Sequence, residues 1–96
     1  MNYKLKVSNR FKKELKKLDK EDIHTIKEAL DNLLKDPFAG NDDIIPIVDQ
    51  KNPQMYRMRV GNYRIIYIVQ DDEVRAGIIF DRKKGYKRFS PLKQYF

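Results

Sequence analysis

The sequence predicts an α+β domain in the order β-α-α-β-β-β: a two-helix hairpin packed on an antiparallel sheet. Three observations carry this. Apolar residues alternate at period two near the start of the chain, and three apolar-rich runs of strand length follow between Met55 and Asp81. Between Ser8 and Leu34 they recur instead at spacings of three and four, the period of helices that bury one face. Two turn-forming pairs, Gly61-Asn62 and Asp71-Asp72, divide the C-terminal half into strands. Ninety-six residues suffice for one core, so residues 1–96 are expected to be a single domain.

Each element has a local reason. Tyr3, Leu5 and Val7 alternate with Asn2, Lys4 and Lys6, which predicts a first strand. Ser8 is a good N-cap for the helix that follows, where Phe11, Leu15 and Leu18 form the apolar stripe. Lys12, Lys13, Lys16 and Lys17 fall between them and give that helix a basic outer face. Asp19 caps a second helix, whose stripe is Ile23, Ile26, Leu30, Leu33 and Leu34. Pro37 forces the preceding residue out of helical geometry, so this helix ends near Lys35. Pro37, Gly40, Pro46 and Pro53 then mark residues 37–54 as a loop, with a short extended piece at 44–48. The remaining strands are Met55–Val60, Tyr63–Gln70 and Glu73–Asp81, and a basic, aromatic tail follows from Arg82.

Charge is unevenly placed. Residues 1–20 carry eight positive and two negative side chains, and residues 82–96 carry six positive and none negative. Residues 21–54 reverse the balance, with three positive and eight negative. Basic ends of this kind suit a polyanionic partner, and equally an ordinary solubilising surface. With no cysteine, disulfides and thiolate metal sites are excluded, and a reducing, cytoplasmic setting is expected. No apolar run is long enough to span a membrane, and the N-terminus lacks the apolar segment of a signal peptide. The one histidine, His24, sits among acidic residues on a helix, with neither the clustered ligands of a metal site nor a nucleophile beside it. The four glycines make no phosphate-binding loop. No metal and no cofactor are therefore expected.

The chemistry concentrates in Tyr56-Arg57-Met58-Arg59-Val60-Gly61-Asn62-Tyr63-Arg64-Ile65-Ile66-Tyr67. A two-residue turn at Gly61-Asn62 pairs Val60 with Tyr63, and so Arg59 with Arg64. Strand alternation then places Arg57, Arg59, Arg64 and Ile66 on one face, with Tyr56, Met58, Ile65 and Tyr67 on the other, against the helices. Like charges directly opposite on a sheet repel, and an anion on that face relieves the repulsion. Phosphate fits, because the planar guanidinium fork matches its oxygens. If the repulsion is unrelieved, replacing Arg59 with an uncharged residue leaves stability unchanged or slightly raised. Arg82, at the end of the last strand, and Tyr86, four residues on, are placed to join the set. Arginines stabilise the charge of a pentacoordinate phosphorus, and a tyrosine among cations is suited to taking a proton from a 2′-hydroxyl or to stacking on a base. The same residues also describe a face that binds phosphate without cleaving it.

This run, with the basic helix Phe11–Leu18 before it and Val74–Phe80, Arg82 and Tyr86 after it, resembles the RelE-type toxins of type II toxin–antitoxin systems, in the RelE/ParE superfamily. The resemblance extends over nearly the whole chain and implies a single RelE-like toxin domain. It implies a ribosome-dependent messenger-RNA endoribonuclease, in which the 2′-hydroxyl attacks the adjacent phosphate without a metal. By position, Arg57, Arg59, Arg64, Arg82 and Tyr86 match the family's catalytic set, and Gly61 and Tyr63 look structural. Lys12, Lys13, Lys16, Lys17, Lys83 and Lys84 would face RNA. The implied partners are a RelB-like antitoxin, messenger RNA and ribosomal RNA, with no membrane. Two departures stand out. Asp81 occupies a position where many relatives have histidine, and Phe89 lies close enough to Tyr86 to compete for its place. The alternatives are a ParE-like toxin directed at DNA gyrase, and a degenerate module that binds nucleic acid or antitoxin without catalysis.

Overall fold

A computed structural model describes residues 2–38, 43–47, 53–84 and 96. The elements are β1 (Lys4–Val7), α1 (Asn9–Lys16), α2 (Lys20–Leu33), β2 (Ile44–Pro46), β3 (Met55–Val60), β4 (Tyr63–Gln70) and β5 (Glu73–Asp81). Both expected caps form. The Ser8 hydroxyl accepts from the Phe11 N–H at 3.0 Å, and an Asp19 carboxylate oxygen accepts from the Asp22 N–H at 2.9 Å. Each satisfies one of the donors that a helix start leaves open.

The five strands form one sheet in the order β1-β5-β4-β3-β2. β2 to β5 are antiparallel neighbours. β1 differs from the expected antiparallel arrangement: it runs parallel to β5, with Leu5 opposite Val74 and Val7 opposite Ala76. The reason is connectivity. The hairpins β3-β4-β5 leave one edge of β5 open, and the helices that follow β1 cross over to one face of the sheet, the route by which parallel strands are joined.

The helices cover one face. Phe11, Ile26, Leu30 and Leu33 pack there against Met58, Val60, Ile65, Tyr67, Val74, Ala76 and Ile79. Burying a side chain of this size contributes about 1.5–3 kcal/mol, so this layer dominates the stability. Tyr67 is fully buried, and its hydroxyl donates to the Pro37 carbonyl at 2.7 Å. That bond fixes the chain just after α2. It also anchors a run of rings, with Tyr67 stacked on Tyr56 at 5.4 Å, Tyr56 edge-on to Phe38 at 6.3 Å and Phe38 edge-on to Tyr3 at 6.1 Å. The opposite face carries a second apolar cluster, Ile47, Met55, Ile66, Ile68, Ile78 and Phe80, on which Phe96 packs.

One irregularity shapes the far end of the sheet. The β4–β5 register shifts between Ile66 and Tyr67, which pair with Ile78 and Ala76. Gly77 is the residue left over, a β-bulge. Its carbonyl accepts from the Ser8 hydroxyl at 2.6 Å, so the residue that caps α1 also holds the bulge. Ala76 therefore faces the helices while Ile78, two residues on, faces away.

Candidate functional site

The hairpin forms as its residue pattern requires. Gly61 has φ +56°, a left-handed conformation that glycine adopts without penalty. Val60 is opposite Tyr63 and Arg59 opposite Arg64. On the helix side, the Tyr63 hydroxyl donates to the Asp22 carboxylate at 3.0 Å, which ties the hairpin to α2. Burial, and then this bond, raise the Tyr63 pKa above its ordinary value.

On the other face, Arg57, Arg59 and Arg64 line a cleft of about 130 Å³ together with Asp43 and Ile45. Arg64 is oriented by its own turn: its Nη1 donates to the carbonyls of Tyr63 at 2.9 Å and Gly61 at 3.1 Å. Its pKa is lowered, first by desolvation and then by the charges of Arg57, Arg59 and Arg82, with Asp43 opposing. The four arginines thus share one electrostatic neighbourhood. Among the described residues no carboxylate pairs with Arg57 or Arg64.

Arg82 reaches this face because of the bulge. Uninterrupted alternation from Ala76 would turn residue 82 toward the helices; the extra residue at Gly77 reverses the phase, so that Phe80 lies opposite Arg64 and Arg82 follows it on the same side. The Arg82 N–H donates to the Asn62 carbonyl at 2.9 Å, which seats it beside the hairpin turn. Asp81, opposite Tyr63, belongs to the helix side. Its carboxylate accepts from the Lys83 N–H at 2.9 Å, so it closes the turn after β5. Tyr86 and Phe89 lie outside the described residues.

The expected RNA-facing lysines occupy a different surface. Lys12, Lys13 and Lys16 are exposed on α1 and Lys17 at its C-cap, on the helix side of the sheet, and Lys17 is 3.4 Å from Glu14. Lys83 and Lys84 are exposed after β5. Lys84 and Lys17 line one cleft of about 220 Å³ with Glu14, Leu18, Tyr63 and Asp81. Lys17 and Lys84 therefore meet at the hairpin end of the sheet, on the face opposite the arginines. His24 is exposed and 2.9 Å from Glu28 on the next turn of α2. Among the described residues no group of three or more histidine or acidic side chains is placed to hold a metal ion.

Asp43 is the site residue that the sequence did not reveal. Its carboxylate accepts from Arg59 Nε at 3.0 Å and lies 2.9 Å from Nη2. The expectation that Arg59 is relieved only by an external anion therefore needs revision, because Arg59 has an internal one. Ile45 was missed with it; it is 43% exposed beside three cations. The short extended piece at 44–48 pointed to Ile45 as a strand residue, but Asp43 lies just before it and its register against β3 had no signal. An added edge strand brings its own residues alongside β3.

The chain matches, over residues 5–84, the family model described as the ParE toxin of the type II toxin–antitoxin system parDE. It is a toxin of the RelE/ParE superfamily. The toxin's fold is similar to that of the archaeal RelE–RelB complex from Pyrococcus horikoshii OT3, with 27% identity, a TM-score of 0.76, and coverage of 88% of this chain and 100% of that one. The RelB–RelE complex from Methanococcus jannaschii is similar at 28% identity and TM-score 0.68, covering 86% of this chain and 96% of that one. A double arginine mutant of the E. coli toxin RelE in the free state shares the fold at 22% identity and TM-score 0.67, with both chains covered completely. A sequence comparison with curated proteins gives no significant match. No helix among the toxin's described residues is long and apolar enough to cross a membrane.

Proposed function

We propose that this toxin is a ribosome-dependent endoribonuclease that cuts messenger RNA without a metal. The observation that carries the reading is the cleft face, where Arg57, Arg59, Arg64 and Arg82 converge against one described carboxylate. Asp43 offsets the charge of Arg59, but Arg64 still faces it across the ladder, so the face keeps a repulsion that a bound anion would relieve. In the proposed reaction the 2′-oxygen forms a bond to the adjacent phosphorus and loses its proton to a base. The bond from phosphorus to the 5′-oxygen breaks, and that oxygen takes up a proton. The products are a 2′,3′-cyclic phosphate and a 5′-hydroxyl. The arginines stabilise the added negative charge of the pentacoordinate phosphorus, and stabilisation of this kind dominates the rate enhancement of many enzymes. Tyr86 is the proposed base or stacking residue.

The basic surface of α1 with Lys83 and Lys84 is assigned to ribosomal RNA, and a RelB-like antitoxin to the inhibited complex. That partner is supported by the likeness to archaeal RelE structures solved as RelE–RelB complexes. These roles belong in the cytoplasm.

The test is controlled expression with mapping of messenger-RNA 5′ ends on translating ribosomes, alongside Arg64→Ala and Arg82→Ala. Codon-phased cuts that vanish in both variants support the assignment. The ParE description of the matching family favours one second reading, a gyrase-directed toxin. Intact messenger RNA together with accumulating DNA breaks would establish it instead.

A further inference from the structure

The arginine cleft already contains an anion. Both N–H groups on one edge of the Arg59 guanidinium converge on a single oxygen, Asp43 Oδ1. The Asp43 carbonyl also accepts from the Arg59 N–H at 2.8 Å, so backbone pairing fixes where the carboxylate stands. The two side chains are 56% and 55% exposed. An ion pair in that much water contributes little and opens easily. Asp43 lines the same cleft as Arg57 and Arg64, close to where a phosphate would bind. A carboxylate and a phosphate present the same kind of oxygen pair to a guanidinium.

We propose that Asp43 is the resident counter-anion of the cleft, holding Arg59 in the empty toxin and yielding it to a phosphate group of an incoming RNA strand. This rests on reading the cleft as a phosphate site. Affinity and stability are then opposed at one residue. The carboxylate that offsets arginine repulsion when the cleft is empty competes with phosphate when it fills. Wild-type toxin gives up one internal ion pair for each strand it takes.

The test uses a labelled single-stranded oligodeoxynucleotide. It has the phosphates but no 2′-hydroxyl, so binding is read without cleavage and without ribosomes. Asp43→Asn should bind about two- to fivefold more tightly than wild type, the range that an exposed ion pair allows. Its melting temperature without ligand should fall slightly, and the gap should close as inorganic phosphate is added. Asp72→Asn is the control. It removes the same charge beside Lys4 at the other end of β4, beyond the screening length of about 8–10 Å, and should leave affinity nearly unchanged. Equal or weaker binding by Asp43→Asn overturns the proposal, because Asp43 then positions Arg59 instead of competing for its ligand. An equal gain in Asp72→Asn overturns it as a net-charge effect, and failure of both wild type and Asp43→Asn to bind overturns it through the cleft itself. Tighter binding by Asp43→Asn in a toxin that cuts no messenger RNA would sink the endoribonuclease reading and leave the counter-anion in place.

Discussion

The two ends of β4 treat charge in opposite ways. At the Asp71-Asp72 turn, cations meet carboxylates: Lys4 is 3.6 Å from Asp72, Lys6 is 3.1 Å from Glu73, and Arg75 is 2.9 Å from the same glutamate. At the Gly61-Asn62 turn, Arg59 faces Arg64 across the ladder, Arg57 lines the same cleft, the Arg82 backbone sits beside Asn62, and the Asp43 carboxylate pairs with Arg59. Among the described residues, the same sheet pairs its charges at one end and carries more cations than carboxylates at the other. Pairing was available to the fold, so the surplus is a property of the site and not of the architecture.

The sharpest way to break that contrast is at Arg64. Arg64→Ala should reduce codon-phased cleavage by about two to three orders of magnitude, the loss typical of removing one donor to a developing oxyanion. Thermal unfolding should be unchanged or slightly improved, since the change relieves repulsion. A large drop in melting temperature with cleavage retained would make Arg64 a structural residue of the turn.

Tyr63→Phe probes the helix side of the same hairpin. It removes the hydroxyl bond to Asp22 and should destabilise the fold by about 0.5–1.5 kcal/mol, read by chemical denaturation, while oligonucleotide affinity stays unchanged. Arg59→Gln should have a smaller effect on stability. It loses an exposed ion pair and a repulsion together, so the net change should lie within about 0.5 kcal/mol, with weakened anion binding.

At the paired end the smallest effect is expected. Hydrogen bonds from Lys6 and Arg75 lower the Glu73 pKa. Its stabilising contribution is therefore full above the unfolded glutamate value of about 4.3, and is lost as pH falls through the lower folded value. The melting-temperature difference between wild type and Glu73→Gln should shrink on acidification across that window. A constant difference would mean the glutamate acts by shape and not by charge.

What was legible in the chain follows the range of the forces involved. The hairpin strands and the opposition of Arg59 to Arg64 could be read directly, because alternation and a two-residue turn leave no other register. The caps at Ser8 and Asp19 were equally local. Asp43 was not legible: it reaches Arg59 through pairing of β2 with β3 across 16 positions, and a Pro- and Asp-rich loop gives no periodicity from which to derive that register. The parallel docking of β1 is likewise a contact between opposite ends of the chain. The bulge had a signal that passed unused, since a glycine inside an apolar strand often marks one. With it, the face on which Arg82 stands follows from counting.

That bulge also dictates an order of events in folding. The Ser8 hydroxyl and the Gly77 carbonyl are 69 positions apart, and closing so long a loop comes late and slowly compared with forming a local hairpin. The β3–β4 hairpin, with Arg57, Arg59 and Arg64, is built from neighbours and assembles early. Arg82 joins them through the β4–β5 hairpin, where its N–H meets the Asn62 carbonyl. All four cations thus come from strands joined by short turns, and the long-range bond from Ser8 is left to lock a cluster that local pairing has already assembled.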